Sequence, residues 1–166
     1  MKLKMKVKRG KTKDLEKTLK HLRSLSQLTI DAGYFSDQGE HSKAEVPYAQ
    51  LMAWHEIGEG NYPSRPVLQT TANIIEASAK NKGFNNYVTD LVGQVGRLKP
   101  NSDRIGKRVQ EVGQSVFGDL AFLDSNSKRT IADKGFNAPL IGGGPDGGEL
   151  MDNFAYRTSI DGETKT

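Results

Sequence analysis

Cysteine is absent from the 166-residue chain, which excludes a disulfide framework and any thiolate metal site. No apolar run approaches the ~20 residues that a bilayer-spanning helix needs. The N-terminus is basic but holds no continuous apolar stretch, so it does not read as a signal peptide. These absences predict a soluble protein made in the cytoplasm, with no membrane partner. Hydrophobic residues are scarce too, at 35%, and mean hydropathy is −0.62. A chain of this length can close one core. That core is expected to be lean, with loops or partner contacts holding much of the rest. Acidic charge is missing from the first thirteen residues, which hold seven Lys/Arg. They carry +7 of a net charge of +4, which leaves −3 on the remainder.

In that basic leader Leu3, Met5 and Val7 alternate with Lys2, Lys4, Lys6 and Lys8. The alternation predicts a half-buried strand whose lysines guard a sheet edge. The same lysines are the candidate DNA-facing residues, since clustered lysine neutralises phosphate. No aromatic is interleaved to stack on bases. Thr12 then suits the cap of a helix reaching about Gln27, with Leu15, Leu19 and Leu22 on its apolar side. His21 is expected on its solvent side. Leu28 to Phe35 reads as a strand rich in β-formers, so strand, helix and strand share one sheet.

Residues 36–45 are polar and aperiodic and predict a mobile surface loop holding His41. From Val46 to Thr70 the pattern sharpens. Pro47 suits a first helical turn, and Val46, Leu51, Trp54 and Ile57 recur at helical spacing as one apolar face. Gly58 is a left-handed stop, Arg65 is forced from helical geometry by the proline after it, and Pro66 opens a second helix. Glu56 and Arg65 are expected to bond at this joint, or Arg65 to bond the carbonyls ending the first helix. His55-Glu56 begins a zinc-protease pattern, but Glu59 stands where the second histidine would be.

Further helices are expected over 66–82, 84–98 and, with Ser102 as N-cap, 102–123. The last has the stripe Ile105, Val109, Val112, Val116 and Leu120. Gly106 and Gly113 border it and predict a close approach by another backbone. Residues 124–148 are glycine-rich, with a hint of helix at Arg129–Lys134, and their length marks a functional or disordered loop. Leu150 to Ile160 reads as a closing strand. No GxSxG elbow, phosphate loop or complete metal spacing occurs, and the three histidines stand apart.

The run YAQLMAWHEIGEGNYPSRPVL, preceded by a strand ending GYF, resembles the tailed-bacteriophage neck and tail-completion proteins, also called minor tail or virion-morphogenesis proteins. Glu56-Ile57-Gly58 and Arg65-Pro66 occupy that family's acid–apolar–glycine and arginine–proline positions. Ala138-Pro139-Leu140 and Gly148-Glu149-Leu150, followed by Asn153 to Thr158, look like its second half. Val67 departs from the aromatic usual after arginine–proline. The resemblance implies a non-enzymatic structural component of the virion at the head–tail junction, with no cofactor and no metal. It would form a sixfold homo-oligomeric ring touching the connector and the tail-terminator or tail-tube proteins, and packaged DNA without sequence preference.

The fold expected is α+β in a single domain over residues 1–166. A small antiparallel or mixed sheet of about three to four strands packs on several helices. Extended loops lie near 36–45 and 124–148. The structural joint is Trp54, Glu56, Gly58, Arg65 and Pro66. Candidate interface residues are Asp37, Glu40, His41, Lys43, Lys128, Arg129, Phe136, Pro139 and Leu140. A different class stays open: a small basic nucleic-acid-binding module that uses the lysine strand.

Overall fold

The computed structural model describes residues 12–60, 63–142, 148–160 and 163–164. The class is α+β. Helix α1 (Thr12–Ser26) leads into strand β1 (Leu28–Gly33), and four helices follow: α2 (Tyr48–Ile57), α3 (Val67–Lys80), α4 (Asn85–Gly93) and α5 (Leu98–Val116). Short α6 (Lys128–Lys134) and one-turn α7 (Glu149–Asp152) precede β2 (Ala155–Ile160) and the two-residue β3 (Glu163–Thr164). β1 and β2 pair antiparallel from Leu28 opposite Ile160 to Gly33 opposite Ala155, and β3 pairs only with the end of β2. Among the described residues the sheet is thus two full strands with a short edge piece. The Lys2–Lys8 strand, with its candidate DNA-facing lysines, lies outside the described residues.

α5 is the hub, packing on both strands and against α3 and α4. It starts at Leu98 rather than at Ser102. Pro100 is tolerated in the first turn, where an N–H has no intrahelical acceptor. Ser102 is therefore interior and fully buried, its hydroxyl donating to Lys99 O at 2.9 Å. The helix stops at Val116 because Phe117 turns extended and Gly118 takes φ +77. Leu120 falls beyond it and is exposed. Gly106 and Gly113 do mark close approaches, but by aromatic side chains: Tyr156 lies over Gly106 and Phe154 over Gly113. Sequence spacing shows that room is left, not what fills it.

The apolar core joins α2, the start of α3, the end of α5 and α7, through Tyr48, Leu51, Met52, Val67, Val116, Leu150 and Phe154 among others. α2 turns Tyr48, Leu51, Met52 and His55 inward, a regular helical edge with a histidine at its end. Ile57, expected on the inner face, is 69% exposed, and Trp54 packs at the margin. The buried edge of α2 takes in His55, so it is rotated from the all-apolar stripe expected. α1 is rotated likewise. His21 is buried with Nε2 2.9 Å from Leu91 O, while Leu15, Leu19 and Leu22 face outward.

The strand expected over 28–35 ends at Gly33. Tyr34 leaves the ladder to donate its hydroxyl to Leu150 O at 2.5 Å, and Phe35 lies under the Arg157 guanidinium. The closing strand begins at Ala155, because Glu149–Asp152 coil into α7. The 36–45 loop is tied down: Gln38 Nε2 donates to Asn153 O at 2.6 Å and Ser42 N to Glu149 Oε1 at 2.7 Å. In the 124–148 region Ser127 caps α6 by accepting from Thr130 N, and Gly135 ends it at φ +80. Pro139 is fully buried there, so a surface role for it as an interface residue is incompatible with this fold.

Candidate functional site

The α2–α3 joint is built from backbone constraints first. Gly58 takes φ +74 and ψ +52, and its N–H closes on Trp54 O at 2.8 Å. A Cβ at Gly58 would lie 2.9 Å from Ser64 N, so the returning chain needs glycine for space as well as for conformation. Arg65 N then donates to His55 O at 2.6 Å, which ties the returning chain to the last turn of α2. Pro66 is the N-cap residue of α3, and Val67 behind it is wholly buried.

Glu56 and Arg65 hold this joint, but not by bonding each other. The Glu56 carboxylate accepts from Leu68 N at 3.0 Å and Gln69 N at 2.8 Å, filling the open N-terminus of α3. Those amides have no intrahelical acceptor, and the helix dipole favours a negative charge there. Arg65 reaches the other way. Its Nε donates to Asp124 O at 3.4 Å, and its Nη2 to Ser125 O at 3.5 Å and to Asn126 Oδ1 at 3.0 Å. The expected ion pair fails because each group has a better-placed partner: Glu56 a helix start, Arg65 a bend in the later chain.

Beside the joint lies a cavity of about 290 Å³, lined by His41, Lys43, His55, Arg65, Asn126 and Lys134 among others. Thus Arg65, His41 and Lys43 come together, from two separate expectations. Leu140, at φ +60, also lines it and packs on the core. The other candidate interface residues scatter. Asp37 pairs with Arg157, Glu40 bridges to Pro47, Lys128 opens α6 beside an exposed Arg129, and Phe136 lies under Lys134 Nζ. Sequence reasoning missed Asn126 and Lys134. The Ser127-x-x-Thr130 cap was the one available signal that this region is ordered.

His41 connects the cavity to a hydrogen-bonded cluster on Glu149. Glu149 accepts from Ser42 N and the Ser42 hydroxyl and, at Oε1, from the Tyr48 hydroxyl at 2.5 Å, with His41 Nε2 at 3.9 Å. These bonds, Ser42's first and Tyr48's next, hold its carboxyl at about 2, against an ordinary 4.5. Burial, then the charges of Arg65 and His41, push the His55 imidazole down from 6.5 to about 4. Both shifts make the folded chain bind fewer protons than the unfolded chain, so acid destabilises it. Neutral His55 contributes fully above pH 6.5 and its contribution is lost as pH falls to about 4. That of Glu149 is full above pH 4.5 and lost towards about 2. Melting temperature is therefore expected to fall across both windows. His55→Leu flattens only the upper one and Glu149→Gln only the lower. Curves parallel to wild type in both variants would refute the assignment.

Among the described residues no three His, Asp or Glu side chains gather as a metal site would require. No described helix is long and apolar enough to cross a membrane. The arrangement is that of an α+β body with a rigid two-helix joint and a cationic cavity beside it. No protein-family model, curated protein or solved structure matches the chain.

Proposed function

We propose that this protein is a structural subunit of a tailed-phage particle, forming a homo-oligomeric ring of the neck or tail-completion type between connector and tail. The observation that carries this reading is the convergence of the two sequence segments that resemble that family. Tyr48, at the start of the helix ending Glu56-Ile57-Gly58, bonds Glu149 of the late Gly-Glu-Leu turn at 2.5 Å. Tyr34, of the strand's Gly-Tyr-Phe ending, bonds Leu150 O at 2.5 Å and stands edge-on to Phe154. Segments about a hundred positions apart thus form one unit around the joint. A ring also needs a surface for neighbours. Exposed Leu15, Leu19 and Leu22 on α1 and Val88 and Val92 on α4 offer apolar contact, and β1 has one side unpaired among the described residues.

Light scattering behind size exclusion, followed by electron microscopy, tests the proposal. The expected result is a closed ring, sixfold, formed without nucleic acid. A monomer at all concentrations that bound duplex with a steep loss of affinity in salt would replace this reading with a basic nucleic-acid-binding module.

A further inference from the structure

The cavity beside the joint has polar chemistry that neither the fold nor the ring reading uses. Asn126 is 93% buried by its 7% exposure, and its side chain has both a fixed end and a spare end. Arginine carries only donors, so the amide oxygen must face Arg65 Nη2, and the amide NH₂ is the spare end. That nitrogen has no hydrogen-bond partner among the described residues. A buried amide donor left unpaired is costly, and a native protein retains one where something accepts from it. Two cations share the lining. Neither Arg65 nor Lys134 pairs with a carboxylate among the described residues: Lys134 Nζ donates to Ala138 O at 2.9 Å, and Arg65 donates to carbonyls and the amide. Burial lowers the pKa of both, and the Arg65 charge lowers that of Lys134 further. The Asp124 charge acts on Arg65 in the opposite sense, without a direct ion pair, and Glu149 is occupied by Ser42 and Tyr48.

We infer that this cavity is a binding site for a small oxyanion, a carboxylate or a phosphate group, held by Arg65, the Asn126 amide and Lys134. Such a group accepts from all three donors, satisfies the orphan amide and relieves the repulsion between the cations. At about 290 Å³ the space is far larger than one water requires. A larger cleft of about 490 Å³, between α1 and the start of α5, does not compete. Its buried His21 already meets Leu91 O, and its Lys99 meets Asp103 and Thr158.

The test uses the full chain in chloride buffer and titrates acetate and inorganic phosphate separately. Amide NMR signals of Asn126, Thr130 and Lys134 are followed. The expected result is saturable movement of the Asn126 side-chain amide with at least one probe, and the tighter probe identifies the chemistry. Asn126→Asp keeps the oxygen that Arg65 needs but replaces the spare donor with a negative charge. It is expected to weaken binding about tenfold or more. Lys134→Gln, which leaves Arg65 and Asn126 intact, is expected to weaken it several-fold. Absence of saturation with both probes, or unchanged affinity in both variants, would overturn the inference. The ring experiment is read independently: a monomer that binds the anion leaves this site standing.

Discussion

Gly113→Val is expected to destabilise the protein by about 3 kcal/mol or more, because a side chain there must enter the Phe154 ring. A Cβ alone would lie 2.3 Å from Phe154 Cζ and 2.5 Å from Cε1. Phe154 cannot move aside: it is 1% exposed, edge-on to Tyr34 at 5.8 Å and part of the central core. Even Gly113→Ala is expected to lose stability, although alanine usually gains about 1 kcal/mol over glycine inside a helix. Gly106→Ala is a milder case. Its Cβ would meet Tyr156 at 2.1 Å, yet that ring is only half-buried on β2 and can swing outward. Gly93→Ala is the control, since nothing lies within 4 Å of its Cβ. Urea unfolding of the four variants should rank them valine at 113, alanine at 113, alanine at 106, alanine at 93, from least to most stable. A wild-type midpoint for either variant at 113 would mean that α5 and β2 do not pack as described.

That contact shows which parts of the fold were legible from the residues. The gap at Gly113 could be read from its place on the stripe, because glycine in a helix is costly unless something needs the space. Its occupant could not, since Phe154 is forty-one positions away and reaches it only once α5 packs on the strands of the folded chain. The joint was legible for a local reason: Gly58, Arg65-Pro66 and their flanking helices are set by backbone preferences acting within a few residues. Helix faces were read less well wherever a polar residue points inward. His21 and His55 each replace an apolar residue on a buried edge, and each rotated the expected stripe away from the true one. The cavity was illegible for a related reason. Asn126 and Lys134 lie in a stretch without periodicity, and only the reach of Arg65 across some sixty residues gives them a role.

Removing the Arg65 side chain is expected to cost about 3 kcal/mol, more than any substitution at its presumed partner Glu56. Arg65 is 8% exposed and serves three acceptors on the 124–126 bend. Arg65→Met fills much of its volume but leaves the buried Asn126 Oδ1 with no donor, at roughly 1–3 kcal/mol, and gives up the longer, part-buried contacts to the Asp124 and Ser125 carbonyls. Arg65→Lys should lie between, because one ammonium cannot spread its donors as the planar guanidinium does. Glu56→Gln keeps one amide oxygen for the start of α3 but loses the charge and the second acceptor, so about 1 kcal/mol is expected. The double variant Arg65→Met, Glu56→Gln discriminates between the two wirings. With separate partners, as the distances require, the two losses should add to within about 0.5 kcal/mol. A strongly non-additive cycle would mean that the two side chains meet, and the joint would then be an ion pair instead of a helix cap and a clamp on the later chain.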